Sequence, residues 1–168
     1  MTTSPLAGAI LISWRRNGAY ALRLVGDLTH AQMTAQPVPG VTMNHPAWVL
    51  SHLNVYAPIA RALCEAAPFD DPADHPFGVK STVVNDPGAY PDRRALIEEY
   101  RVLHDAAQAA LERTDEAALA ATNPLARWRE MHPTVGDMLV TLMVKHESTH
   151  LGQLSAWRRA MGLPPVQV

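Results

Sequence analysis

Near the C-terminus, the run His146-Glu147-Ser148-Thr149-His150-Leu151-Gly152-Gln153 carries two histidines four positions apart. On a helix that spacing places the imidazoles one turn apart on a single face, where both can ligate one metal ion. Val135, Leu139, Leu142, Met143, Gln153 and Trp157 recur with the helical period on the same broad face. The pair therefore belongs to the apolar side of its helix, and a buried imidazole needs a partner for its ring nitrogens. A metal is one such partner. His52 falls on the inward stripe of an earlier helix, among Trp48, Val49, Val55, Tyr56, Ile59 and Leu63. Helical bundles build metal sites from side chains on facing helices, which makes His52 the candidate third ligand. Three neutral imidazoles suit Zn, Ni, Fe or Co and leave at least one position for water or substrate. An open site of that kind lowers the pKa of bound water or holds a thiol as thiolate.

Glu147 completes the string H-E-x-x-H, the zinc-protease helix motif in which the glutamate is the general base. No His, Asp or Glu follows His150 to supply that motif's downstream ligand, and no strand is present to hold a peptide. Glu147 is left as a candidate acid/base or ligand-supporting group, with a helix-surface charge near Lys145 or Arg129 as the plain alternative. Gln153 faces the same way as the histidines and can orient a ligand ring or make a helix–helix contact. Trp48, Tyr56 and Trp157 read as core near the site, with Trp48 and Tyr56 the pocket candidates. His45 sits at a helix start as a cap. His75 and His132 fall in loops, His104 at a helix edge and His30 near the end of the first helix. Cys64 reads as a small packing residue, because Glu65 offsets the charge of Arg61 that would activate it.

These residues need four long helices to position them. Helical spacing of Ile10, Trp14, Leu22, Val25 and Leu28 predicts the first over about Leu6 to Gln36, ended by Pro37-Val38-Pro39-Gly40. Asn44 or His45 caps a second, with Pro46 at its first position, running to about Ala66 with a kink expected at Pro58. A connection rich in Pro, Asp and Gly spans Ala67 to Pro91, a length that tends to be functional or mobile. A third helix is expected from Asp92 to Arg113, with Leu96, Tyr100, Leu103, Ala107 and Leu111 inward. A short helix follows Thr114-Asp115-Glu116, and Thr134 caps the last, which extends to Met161. The expected architecture is all-α: residues 1–168 as one four-helix bundle with a long loop between helices 2 and 3.

Composition narrows the partners. The chain has 168 residues, is 48% hydrophobic and carries a net charge of −2, a balance that argues against nucleic acid or an anionic membrane. With Cys64 its single cysteine, it can form neither an intrachain disulfide nor a thiolate cage. Arg15 and Arg16 follow the apolar run Leu6 to Trp14, the reverse of signal-peptide order, and no run approaches a membrane span. A soluble cytoplasmic protein is the expectation.

Two stretches together resemble the paired signatures of DinB-like proteins. NHPAWVLSHLNVY, Asn44 to Tyr56, follows N-x-x-x-W-x-x-x-H-L, and HESTHLGQLSAWRRAMG, His146 to Gly162, follows H-x-x-x-H-x-G-Q-L. The resemblance implies a four-helix bundle whose metal is held by one histidine of the second helix and two of the last. Those positions here are His52, His146 and His150, the set reached above from the inward faces. It also implies a homodimer, and a metal-dependent enzyme acting on a small molecule, either as an S-transferase with a low-molecular-weight thiol or as a hydrolase with metal-activated water. Two other readings stand beside it: a bundle that binds a metal or small ligand without turnover, and a dimeric scaffold with a histidine core.

Overall fold

The computed structural model describes residues 4–167. Helix α1 (Pro5–Gly26) begins with Pro5 in its first turn, where the missing N–H leaves no bond unmade. It ends ten residues before the expected limit, Gln36, at Gly26 and Asp27, and a separate 3₁₀ turn, Ala31–Thr34, follows. The apolar period continues through Leu28 and Met33, both buried, so it does not register the break in helical hydrogen bonding.

Helix α2 (Pro46–Cys64) starts at a side-chain cap: the His45 ring accepts the Trp48 N–H through Nδ1 at 3.2 Å. It runs unbroken through Pro58, whose ring lies on the exposed side. Its end adopts a Schellman turn, with Ala67 N–H donating to Ala62 O at 2.9 Å while Ala66 takes a left-handed φ of 48°. Between α2 and the next helix the backbone makes two short 3₁₀ turns, Pro72–Asp74 and Pro87–Ala89, each capped by the aspartate before it. Helix α3 (Arg93–Glu112), capped by Asp92, packs more extensively on α2 than any other pair of elements does. A short α4 (Glu116–Ala120) follows.

The last rod has three parts. Helix α5 (Val135–Val140) opens on a capping box in which Thr134 and Asp137 satisfy each other's backbone N–H groups. A π-helical turn, Thr141–His146, then leads directly into α6 (Glu147–Ala160). Arg158 anchors the end of this rod: 2% exposed, it grips the Asp27 carboxylate with two hydrogen bonds of 2.6 and 2.9 Å and also donates to Leu24 O. Among the described residues there is no strand, only an isolated bridge between Thr122 and Thr134. The fold is all-α.

Two apolar clusters fill the interior. One gathers Trp14, Tyr56, Ile59, Leu111, Met138 and Leu139; the other gathers Leu24, Trp48, Leu50, Leu96, Leu154 and Trp157. Trp48 belongs to the second and Tyr56 to the first, so His52, midway between them on α2, lies where the clusters meet.

Candidate metal centre

His52 comes from α2, His146 from the final position of the π turn and His150 from the first turn of α6. Their rings converge. His52 Nε2 lies 2.9 Å from His146 Nε2, and His150 Nε2 lies 3.2 Å from the same atom. One ligand atom from each of the three falls within 4.8 Å of the others, an arrangement that could hold a metal ion. An ion about 2.05 Å from each nitrogen would separate tetrahedral ligand atoms by about 3.3 Å, close to the spacing found.

The opposite ring nitrogens explain which tautomers are present. His52 Nδ1 donates to the backbone carbonyl of Phe77 at 2.6 Å, leaving Nε2 with its lone pair. His150 Nδ1 donates to Gln153 Oε1 at 2.9 Å, and the same oxygen accepts from Asn44 Nδ2 at 2.8 Å. Gln153 therefore orients a ring and ties α6 to the start of α2 at once. His146 Nδ1 is buried with no partner among the described residues.

Burial keeps the rings neutral. Desolvation first, then the nearby His150, lowers the pKa of His52 to about 4. The same order of causes, with His52 adding to it, lowers His146 to about 3. His150 is also lowered by burial, against a hydrogen bond to Gln153 that raises it. Neutral imidazole is the ligand form. Lone pairs aimed at one another across about 3 Å repel unless a cation or a proton lies between them, so the donor set fits a metal.

Aromatic rings frame the cluster. Trp48 stacks on His52 at 4.8 Å between centroids with 12° between planes, and Tyr56 meets His146 edge-on at 4.7 Å. A mouth of about 180 Å³ opens over His52 and His146, with Tyr56, Trp128, Met131 and Leu142 among its apolar walls and Arg127, His132 and Thr141 among its polar ones. Arg127 lies 4.2 Å over the Trp128 ring and holds Asp71 by two bonds of 2.5 and 2.6 Å. That pair fastens the connection after α2 to the segment before α5, across one side of the mouth. Sequence reasoning missed Phe77, which acts through its backbone and so carries no side-chain signal, and the mouth residues Arg127 and Trp128.

Glu147 departs from the surface-charge reading. It is 1% exposed, and its Oε1 accepts from the Tyr100 hydroxyl and lies 3.3 Å from His104 Nε2. As the residue after His146 it points about 100° round the helix, toward α3 and away from Lys145 and Arg129. Burial raises its carboxyl pKa, opposed by His104 and Tyr100. It does not line the mouth, which argues against the peptidase role of the H-E-x-x-H string. His104, expected at a helix edge, is instead buried in the α3 stripe where Leu103 is only half-buried. Its ring stacks on Trp14 at 3.8 Å and 2°. The Tyr100–His104 spacing of four was the available sign of this buried pair. His45 is the cap it was expected to be, Trp157 lies in the core with its indole N–H on Ala35 O, and burial raises the Cys64 thiol to about 11, so it is not activated. His30 and His75 are exposed, away from the cluster.

The molecule is thus an all-α protein in which two helical rods bring three neutral histidines to one point beneath an open mouth. A family model described as the DinB superfamily matches residues 13–154, and the chain belongs to that superfamily. No curated protein and no solved structure matches it. No helix among the described residues is long and apolar enough to cross a membrane.

Proposed function

We propose that the protein is a metal-dependent enzyme of the DinB superfamily that acts on a small molecule at a site formed by His52, His146 and His150. In this reading α1, α2, α3 and the α5–α6 rod are the four helices of a single-domain bundle, and the connection from α2 to α3 borders the substrate's approach. The observation that carries it is the convergence of three Nε2 atoms at 2.9 and 3.2 Å while two of the opposite nitrogens are tied to protein acceptors. A divalent ion, Zn, Ni or Fe, supplies a Lewis acid that lowers the pKa of bound water or holds a thiol as thiolate.

The chain's own groups do the rest. Phe77 O and Gln153 Oε1 fix the rings, and Trp48 and Tyr56 wall the site. A structural metal site is closed, whereas this one lies under a mouth, which favours turnover over a purely structural or storage role. At about 180 Å³ the mouth is smaller than the roughly 300–1,000 Å³ of pockets that enclose whole drug-sized ligands, so it suits the reactive end of a substrate. That selectivity agrees with transfer to or from a low-molecular-weight thiol, or hydrolysis, and the apolar walls favour an electrophile with a hydrophobic body.

Elemental analysis of the purified protein and of His146→Ala tests the site. About one transition-metal ion per chain, lost in the variant, is the expected result. A wild type that neither carries nor takes up Zn, Ni or Fe overturns it. Turnover of thiol and electrophile panels by the loaded protein then separates an enzyme from a bundle that only binds metal.

A further inference from the structure

His146 differs from the other two histidines in what holds its ring. His52 and His150 each direct Nδ1 at a protein oxygen, whereas His146 Nδ1 is buried with no protein partner. The next residue has a matching deficit. Glu147 Oε1 accepts from the Tyr100 hydroxyl, with His104 Nε2 3.3 Å away but not hydrogen-bonded to it, and its Oε2 is buried and also without a partner. Both side chains open on one small void of about 10 Å³, whose other walls include Trp14, Leu53, Ala57 and Leu142. That is about the volume that admits a single water, which needs two or more polar partners to stay there.

We propose that one buried water in this void accepts the His146 Nδ1–H and donates to Glu147 Oε2, which makes Glu147 a positioning residue for the third metal ligand. The inference rests on the metal-site reading above. It explains why a carboxylate is kept almost wholly out of water one residue from a ligand, a placement that needs hydrogen-bond donors at both oxygens. It also gives a purpose to the groups behind it. The Tyr100 hydroxyl fixes Oε1, and the His104 ring beside it is held by the Trp14 ring and by Gly18, where a Cβ would stand 2.5 Å from His104 Cε1. The line from α1 through α3 to the last rod thus ends on the one ring that no protein atom orients directly. Metal-bound histidines generally carry an acceptor on the second nitrogen, and its removal typically lowers metal affinity about 10- to 100-fold.

The test uses the full chain loaded with zinc and labelled with ¹⁵N-histidine. Long-range ¹H–¹⁵N spectra should show His146 protonated at Nδ1, with that proton exchanging slowly with solvent. Glu147→Gln places an amide N–H where Oε2 accepts; it should weaken zinc binding about 10- to 100-fold in chelator competition and release the Nδ1 proton to fast exchange. Leu111→Ala, two turns along α3, lowers stability without touching the void and should leave both readouts near the wild-type values. An unprotonated His146 Nδ1 in the wild type overturns the proposal, and that measurement does not depend on whether any variant folds. So does Glu147→Gln with wild-type affinity, or Leu111→Ala with an equal loss. If zinc binds and His146→Ala abolishes it while Glu147→Gln is silent, only the water-mediated link fails. If the wild type binds no metal, both readings fall.

Discussion

His45 shows how one ring sets a local boundary and a pH response together. Its Nδ1 must be unprotonated to accept the Trp48 N–H, while Nε2–H donates to Val84 O at 3.0 Å. Burial lowers its pKa, so the folded chain refuses a proton that the unfolded chain takes up near the ordinary value of about 6.5. The stability it contributes is complete above that value and is lost as pH falls from about 6.5 toward the lowered folded pKa. His45→Asn keeps a capping acceptor and does not titrate, so its melting temperature should fall less between pH 7 and 5 than the wild type's, both compared with zinc bound. Equal slopes would remove His45 from the account. Asp27 behaves likewise at lower pH. Its bond from Arg158 holds the carboxyl below the ordinary range, so that contribution is present above about 3.9 and lost as pH drops further. The three clustered histidines were legible because each lies on an apolar stripe where an unpaired ring would be costly. The burial of Glu147 was not, because its partners Tyr100 and His104 stand on another helix, and no spacing within its own helix points to them.

At the scale of elements, two similar helix ends and two glycines separate what local sequence decides from what packing decides. Schellman turns close both α2 and α6, with left-handed residues Ala66 and Gly162. Glycine at the second is the expected choice; alanine at the first bears a conformational cost of about 1 kcal/mol. Ala66→Gly should therefore raise the unfolding free energy by roughly that amount in a denaturant titration. Gly8 and Gly18 both lie inside α1, where replacing glycine by alanine ordinarily stabilises by about 0.5–1 kcal/mol. Gly8→Ala should follow that rule, since nothing stands within 4 Å of the new Cβ. Gly18→Ala should have the opposite sign, because the Cβ would strike the His104 ring that Trp14 stacks upon. Two alanine variants of the same helix moving in the same direction would contradict that packing. The helices themselves were readable from their periodicity, and Thr134 caps the last rod as the sequence suggests. The end of α1 at Gly26 and the π turn at Thr141–His146 were not. Periodicity marks burial and is indifferent to whether a hydrogen bond runs to the fourth or the fifth residue back. The π turn sits immediately before α6 and supplies His146, consistent with the frequency of such turns at functional sites.

For the whole molecule, the histidine cluster is a cross-link between two parts of the chain distant in sequence. His52 and His146 are separated by 94 residues, and an ion shared between them joins α2 to the last rod at the point where the two apolar clusters meet. The unfolded chain has no preformed site, so binding favours the folded state by an amount that grows with free metal. At a free zinc concentration about 100 times the Kd, the gain is about 2.7 kcal/mol, which for a chain of this length raises the melting temperature by about 5–10 °C. A chelator should reverse the shift. His52→Ala should abolish it, while the metal-free melting temperature falls through the lost Trp48 stack and Phe77 hydrogen bond. A zinc-induced shift that survives His52→Ala would place the ion elsewhere, and the two rods would then be held together by their apolar packing and the Asn44–Gln153 hydrogen bond. The Arg127–Asp71 clasp gives a second handle on the same architecture. It spans the mouth without touching the histidines, so Asp71→Asn should leave the size of the zinc shift unchanged while altering how fast a chelator strips the ion. Equal stripping rates with and without the clasp would show that the mouth is not the route by which the ion leaves.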